Sequence, residues 1–266
     1  MDSAANITAV VLAAGMGTRM KSKLPKVLHE VCGKPMVEHV IDSLKKSGVQ
    51  RVGLVLSDQL DDFKNILDQN TELEVCIQKD RRGTGDAVAS SAVFFDGVVS
   101  PHFAQLVLHK GKSEKTDHII ICAGDTPALS SDVLKEFIDS HIQNDCSVSV
   151  IGMEIEDPTG YGRLIVSSDG ALSGIVEHKD ASEDQLNIKV CNSGVIMAKA
   201  GDLFRYLDKL SPNNAQGEYY LTDIISIANS ENEKVQTFVT ENWKSFMGVN
   251  TPEQKAVMED FMSSKA

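Results

Sequence analysis

The chain has 266 residues, of which 42% are hydrophobic and 24% charged, a globular composition that excludes collagen-like, low-complexity and disulfide-scaffold classes. That length suits one large domain or two small ones, with a sizeable core. Its 26 Lys and Arg face 38 Asp and Glu, a formal charge of -12, so it is a poor general binder of nucleic acid or anionic membrane, and an anionic substrate needs a local cationic pocket.

The N-terminus carries Asp2 ahead of a short apolar run, the reverse of a signal peptide. No apolar run approaches the roughly 20 residues of a membrane span. The five cysteines, Cys32, Cys76, Cys122, Cys146 and Cys191, form no CxxC pair. They read as small buried hydrophobes in a reducing compartment, and a soluble, cytoplasmic protein is expected.

In chain order, residues 7–12, 52–56, 73–78, 118–123 and 147–154 are short apolar runs bounded by Gly, Asp or Pro and predict strands. Residues 36–47, 85–94 and 130–143 predict helices between them. The last is the most regular, with Val133, Leu134, Phe137, Ile138 and Ile142 on one face and Lys135, Glu136 and Asp139 on the other. Residues 96–117 interrupt the alternation with a polar, charged tail, read as an exposed excursion. From 155 onward, 164–167, 172–177 and 190–198 predict hairpin-type strands, as a smaller mixed sheet laid over the carboxyl edge of the main one. Residues 222–230 and 252–264 predict helices, the second with Pro252 in its first turn. The acidic Glu231 and Glu233 read as a solvated face. Strand–helix alternation with near-continuous apolar strands predicts an α/β fold with a mostly parallel central sheet, helices on both faces, and a smaller mixed β region. In such folds, ligands bind beyond the carboxyl ends of the strands.

The segment after the first strand is Leu12-Ala13-Ala14-Gly15-Met16-Gly17-Thr18-Arg19, followed by Leu24-Pro25-Lys26. Two glycines let backbone N–H groups approach an anion. Arg19, Lys21, Lys23 and Lys26 reverse the overall charge locally, which suits phosphate binding. The dinucleotide fingerprint GxGxxG fails, because Met20 stands at its third glycine. Gly111-Lys112-Ser113 supplies only the end of a P-loop, with Leu106 where its first glycine belongs. The bland alternative is an ordinary βα turn with a solvated basic face.

Leu12–Arg19 with Leu24-Pro25-Lys26-Val27-Leu28 resembles the signature of sugar-phosphate nucleotidylyltransferases. Gln78 with Gly83-Thr84-Gly85, Gly124-Asp125-Thr126-Pro127, the stretch 157–163, Glu177-His178-Lys179-Asp180, Asn192-Ser193-Gly194, the stretch 213–223 and Gly248-Val249-Asn250 follow in family order. Together they resemble the GlmU-type N-acetylglucosamine-1-phosphate uridylyltransferases over roughly residues 7–250, with 251–266 left as a C-terminal helix. The resemblance implies a Rossmann-like nucleotidyltransferase fold, and UTP and N-acetyl-α-glucosamine-1-phosphate as partners. It further implies Mg²⁺ held by Asp125 and Asn250, and Arg19 and Lys26 as catalytic cations. Leu12, Ala13, Ala14, Gly15, Gly17, Gln78, Gly83 and Thr84 would lie on the nucleotide, with Gly162, Glu177, Asn192, Tyr220 and Thr222 on the sugar. A strand-end Gln offers both a donor and an acceptor to a uracil edge.

Bland readings stand beside these: Asp125 as a turn cap, Asn250 as a helix-start residue, Gln78 and Glu177 as solvated strand-end side chains. Three departures from the family are visible. Its left-handed β-helix acetyltransferase domain, and the trimer built through it, lie outside this sequence. A monomer or weak dimer is therefore expected, with an acetyltransferase on a separate chain as a candidate partner. Ala123 replaces the usual tyrosine before Gly-Asp, and Asp86 stands where His is commoner. The alternatives are a nucleotidylyltransferase of this fold using another sugar-1-phosphate or NTP, or a non-catalytic nucleotide-sugar-binding module.

Overall fold

The computed structural model describes residues 5–95, 107–109, 115–167 and 171–265. The elements are β1 (Ile7–Leu12), β2 (Glu30–Val31), β3 (Lys34–Pro35), α1 (Met36–Lys46), β4 (Arg51–Leu56), α2 (Lys64–Gln69) and β5 (Glu74–Ile77). There follow α3 (Thr84–Ser90), β6 (Val107–His109), β7 (His118–Ala123), α4 (Ser131–Gln143), β8 (Val148–Glu154), β9 (Arg163–Val166), β10 (Leu172–Val176) and α5 (Glu183–Leu186). The chain continues through β11 (Val190–Lys199), α6 (Ala200–Leu207), α7 (Ile224–Ser230), β12 (Val235–Thr240) and α8 (Pro252–Ser263).

The strand order is β10-β9-β11-β7-β1-β4-β5-β6, with β8 against β11 and β12 against β8. The centre, β7-β1-β4-β5, is parallel. The two-residue period of a strand divides its apolar side chains between two cores. Ala9 and Val11 of β1, Leu54 and Leu56 of β4 and Ile120 of β7 meet α1 and α4 through Val37, Val40, Leu44, Leu134 and Phe137. Val10, Val55, Ile119 and Ile121 face the other way, onto Val88 of α3, Leu203 and Tyr206 of α6, and Ile224 and Ile225 of α7. With helices on both faces, the central strands are near-continuously apolar, polar only at Thr8 and at the first residues Arg51, Glu74 and His118.

The smaller mixed region is continuous with this sheet and does not lie over it as a separate layer. β11 is antiparallel to β7, β8 and β9, and its register shifts between Asn192 and Ile196. That bulge lets one strand serve both the central sheet and the β9–β10 hairpin. Elements absent from the sequence reading are the small or half-exposed ones: α2, α5, α6, the β2–β3 hairpin and β12. Glu231 is not simply solvated: it pairs with Arg205 and Lys209, and Glu233 also pairs with Arg205. The excursion predicted at 96–117 falls mainly outside the described residues, as does Gly111-Lys112-Ser113; what is described includes β6, antiparallel to β5. Cys76, Cys122, Cys146 and Cys191 are buried free thiols, whereas Cys32 is exposed. Among the described residues no helix is long and apolar enough to cross a membrane.

Candidate active site

The loop after β1 turns on Gly17, which has φ 59° and begins a 3-10 turn over Thr18–Met20. Met20 is buried and anchors that turn. Pro25, with φ -49°, precedes a second 3-10 turn, Lys26–Leu28, whose Val27 and Leu28 enter the core. Lys26 is thereby fixed at its own backbone while its side chain stays outside the core. A Cβ at Gly17 would collide with Lys26 Cβ and lie 3.2 Å from its Cα. Glycine is therefore required there on two counts, left-handed backbone and close approach.

Asp125 follows the end of β7. Its main-chain oxygen accepts from Val249 N at 2.9 Å, which ties Gly248-Val249-Asn250 alongside. The turn after β7 is closed by Thr126, whose hydroxyl donates to Ala123 O at 2.9 Å. The cap of α8 is Thr251, which accepts from Gln254 N. Neither Asp125 nor Asn250 is consumed by its bland structural task. Instead Lys26 Nζ pairs with Asp125 Oδ2 and donates to Asn250 Oδ1 at 2.9 Å. Arg19 Nη2 donates to the same Asn250 oxygen at 2.9 Å. Four residues from three distant stretches thus meet, two cations and two oxygen donors.

Beside this cluster lies a cleft of about 340 Å³. Leu12, Ala13, Ala14 and Gly15 line it from the β1 side, and Gln78, Gly83 and Thr84 from the α3 side. Lys26 and Asp125 also line it. Gly17 does not line it; its part is to support Lys26. A Cβ at Gly15 would meet nothing within 4 Å, so that position leaves open space where a ligand backbone contact can form.

Gly83, with φ 115°, begins α3, and a Cβ there would come 2.6 Å from Tyr219 O. Two main-chain bonds cross at this point: Tyr219 N to Arg82 O at 2.7 Å and Gly85 N to Tyr219 O at 2.8 Å. Thr84 Oγ1 accepts from Leu221 N at 3.0 Å. The Gly-Thr-Gly motif therefore docks the 213–223 stretch against α3, a task the sequence reading had not assigned to it.

That stretch brings Tyr220 and Thr222 to the second cluster. Thr222 donates its hydroxyl to Glu177 Oε1 at 3.2 Å, and Tyr220 donates to Asp180 Oδ2 at 3.3 Å. A Cβ on Gly162 would lie 3.4 Å from Glu177 Oε2. Asn192 N donates to Gly162 O at 2.8 Å, and its side-chain oxygen accepts from Gly194 N at 2.9 Å within the bulge. Burial raises the Glu177 carboxyl above its ordinary value, opposed by the Thr222 hydrogen bond and reinforced by Asp180 and Asp223. Burial, with Asp180 beside it, pushes the Tyr220 hydroxyl up to about 12. These five predicted sugar-side residues lie outside the lining of the first cleft and reach it through Thr84 and the 218–222 backbone.

Six further residues line the cleft that were not among the expected site residues: Met16, Val27, Arg81, Ala87, Ala123 and Glu218. Arg81 has φ 44° and donates to Asp58 at 3.3 Å. Nothing in its charged surroundings distinguished it. Ala123 and Asp86 were visible in the sequence as departures from the family. Among the described residues no group of three or more His, Cys, Asp and Glu converges as a metal cage. The oxygen pair Asp125–Asn250 is instead of the open kind that suits a hard cation shared with phosphate and water.

Residues 9–183 match the family model of the MobA-like NTP transferase domain. The chain is 40% identical over 257 residues to the bifunctional protein GlmU of Bacillus subtilis, covering 97% of this chain and 52% of that protein. It is 38% identical over 257 residues to the GlmU of Clostridioides difficile, with the same coverage. The chain spans about half the length of the curated relatives it matches. A crystal structure of a UDP-glucose pyrophosphorylase with UDP-glucose superposes with a TM-score of 0.73 over 98% of this chain and 100% of that one, at 15% identity, a likeness of fold. With its parallel sheet, its glycine-bearing first loop and this match over most of its length, the chain belongs to the MobA-like NTP transferase domain family.

Proposed function

We propose that this chain is a uridylyltransferase that joins UTP and N-acetyl-α-glucosamine-1-phosphate into UDP-N-acetylglucosamine and pyrophosphate. The observation that carries the reading is the meeting of Lys26 and Arg19 with Asp125 and Asn250 beside the cleft. An acidic chain has gathered two cations where two polyanions must be reconciled. The similarity to GlmU proteins supports the choice of uracil nucleotide and amino-sugar phosphate.

A sugar-phosphate oxygen attacks the α-phosphorus of UTP in line, the bond from that phosphorus to the β-phosphate oxygen breaks, and pyrophosphate leaves. The attacking oxygen is already anionic, so no protein nucleophile is required, and catalysis is positioning and charge stabilisation. Lys26 stands where the α-phosphate and sugar phosphate repel most, and Arg19 holds the departing β- and γ-phosphates. Gly15 and Gly17 shape the loop under the triphosphate, Gln78, Gly83 and Thr84 take the base, and Gly162, Glu177, Asn192, Tyr220 and Thr222 take the sugar. Asp125 and Asn250 already direct two oxygens at one positive centre, the Lys26 ammonium. The same donors fit Mg²⁺, which prefers few protein oxygens. When bound, the metal would neutralise phosphate charge. Residues 1–250 form the transferase unit in this reading, and 251–266 the helix following Asn250. The protein acts in the cytoplasm, on neither nucleic acid nor membrane.

Ala123 lining the cleft favours one second reading, the same chemistry on a different sugar-1-phosphate or NTP. A pyrophosphate-release assay over a panel of NTPs and sugar phosphates tests both. Release with UTP and N-acetylglucosamine-1-phosphate is expected, and its absence overturns the named reaction.

A further inference from the structure

Gln78 follows β5 with only 6% of its surface exposed, and Asp86, in the first turn of α3, with 3%. Gln78 Nε2 donates to Gly83 O at 3.0 Å and to Asp86 Oδ2 at 2.7 Å. A primary amide has two N–H donors, and both of these neighbours only accept. Both donors are therefore used inside the protein. Turning the amide over would set its oxygen against a carbonyl and a carboxylate. Asp86 is itself held, since its Oδ1 accepts from Arg82 Nε at 3.2 Å and Nη2 at 2.9 Å, and its Oδ2 from Arg82 N at 3.3 Å.

We propose that Asp86 is a positioning residue that locks Gln78 with its oxygen toward the cleft, so that the site selects bases carrying a ring N–H over bases with a bare ring nitrogen. This rests on the reading of the cleft as the nucleotide site. A uracil ring offers an N–H between two carbonyls, and Gln78 Oε1 accepts it. A cytosine ring has an unprotonated nitrogen at the same place, so two lone pairs face each other and neither is satisfied. Selection by such a mismatch is stronger than by attraction alone, because the wrong base is rejected as well as the right one held. An unsatisfied buried pair of this kind corresponds to about a tenfold to hundredfold preference.

The test compares kcat/KM for UTP and CTP, each with the same sugar phosphate, in the wild type and four variants. The wild type prefers UTP by at least about tenfold. Asp86→Asn can either donate or accept, which removes one of the two acceptors that hold the Gln78 amide, and lowers the preference severalfold, mainly through KM, while kcat with UTP stays within a few fold. Asp86→Ser carries the same expectation if the Asn variant fails to fold. Asp86→Glu keeps an acceptor-only carboxylate and restores the preference. Arg82→Ala leaves the preference in place, because the Gln78 contact to Asp86 remains. An unchanged UTP/CTP ratio in both Asp86→Asn and Asp86→Ser overturns the lock, as does a wild type indifferent between the two nucleotides. If the wild type releases no pyrophosphate with UTP, the uridylyltransferase reading fails separately, and UDP against CDP binding by calorimetry then reads the lock by the same ratio.

Discussion

Gly15 and Gly17 lie two residues apart in one loop, yet the structure predicts opposite responses to Ala. At Gly17 the backbone has φ 59°, and an added Cβ meets Lys26 Cβ and lies 3.2 Å from Lys26 Cα. A left-handed conformation costs a non-glycine residue about 1–2 kcal/mol. Overpacking against main chain that cannot swing aside adds about 1–3 kcal/mol. Gly17→Ala is therefore expected to lose about 2–5 kcal/mol of local stability, or to relieve the collision by moving Lys26. A displacement of Lys26 by about 1 Å suffices for roughly a hundredfold loss of rate, since the site works by positioning. Gly15→Ala meets nothing within 4 Å and carries no left-handed strain. It should leave the melting temperature unchanged and act, if at all, on KM for the nucleotide. The assay is a thermal melt paired with pyrophosphate release for each variant. A Gly17→Ala protein with wild-type melting and wild-type kcat would refute the reasoning, because the Lys26 placement would then not depend on that contact.

Asp125→Ala leaves Lys26 with Asn250 alone, and pyrophosphate release should fall by about 10²–10³ in kcat; retention of full rate removes Asp125 from the site. Glu177→Gln should stabilise the fold at neutral pH. The Glu177 carboxyl is raised by burial above its ordinary 4.5, so the folded protein carries its charge at a disadvantage. That disadvantage is present at neutral pH and relieved as pH falls through the raised folded value, so the gain in melting temperature should vanish in acid. A variant no more stable than wild type at pH 7 contradicts this. His141 is fully buried between His118 Nδ1 at 3.1 Å and Ser149 Oγ at 2.6 Å, and burial, with His118 and Lys199, pushes it down to about 3 from 6.5. The unfolded chain therefore binds a proton below pH 6.5 that the folded one refuses, and stability drains away as pH falls from there toward 3. By pH 5 this amounts to about 2 kcal/mol, and His141→Gln should flatten that slope in denaturant titrations; an unchanged slope refutes it.

Much was legible in the chain because it is written locally. β1 and β7 run over the predicted residues, and α4 begins one residue after its predicted start with Ser130 as its cap, since apolar period and capping chemistry are properties of neighbours in sequence. The chemical character of the site was equally local: two glycines, Arg19, Lys26 and a carboxylate after a strand. Tertiary structure alone decided which of these groups meet. Asn250 reaches Lys26 across 224 residues and Thr222 reaches Glu177 across 45, and no periodicity encodes such distances. The half-exposed edge strand β12 and the eight-residue α6 went unread because their patterns are too short to rise above loop composition. The family resemblance implied Gln78 on the nucleotide, with donor and acceptor both open. Only the fold, by setting Gly83 O and Asp86 against its nitrogen, settled which of the two it keeps, because the polarity of a buried amide is dictated by the groups packed around it.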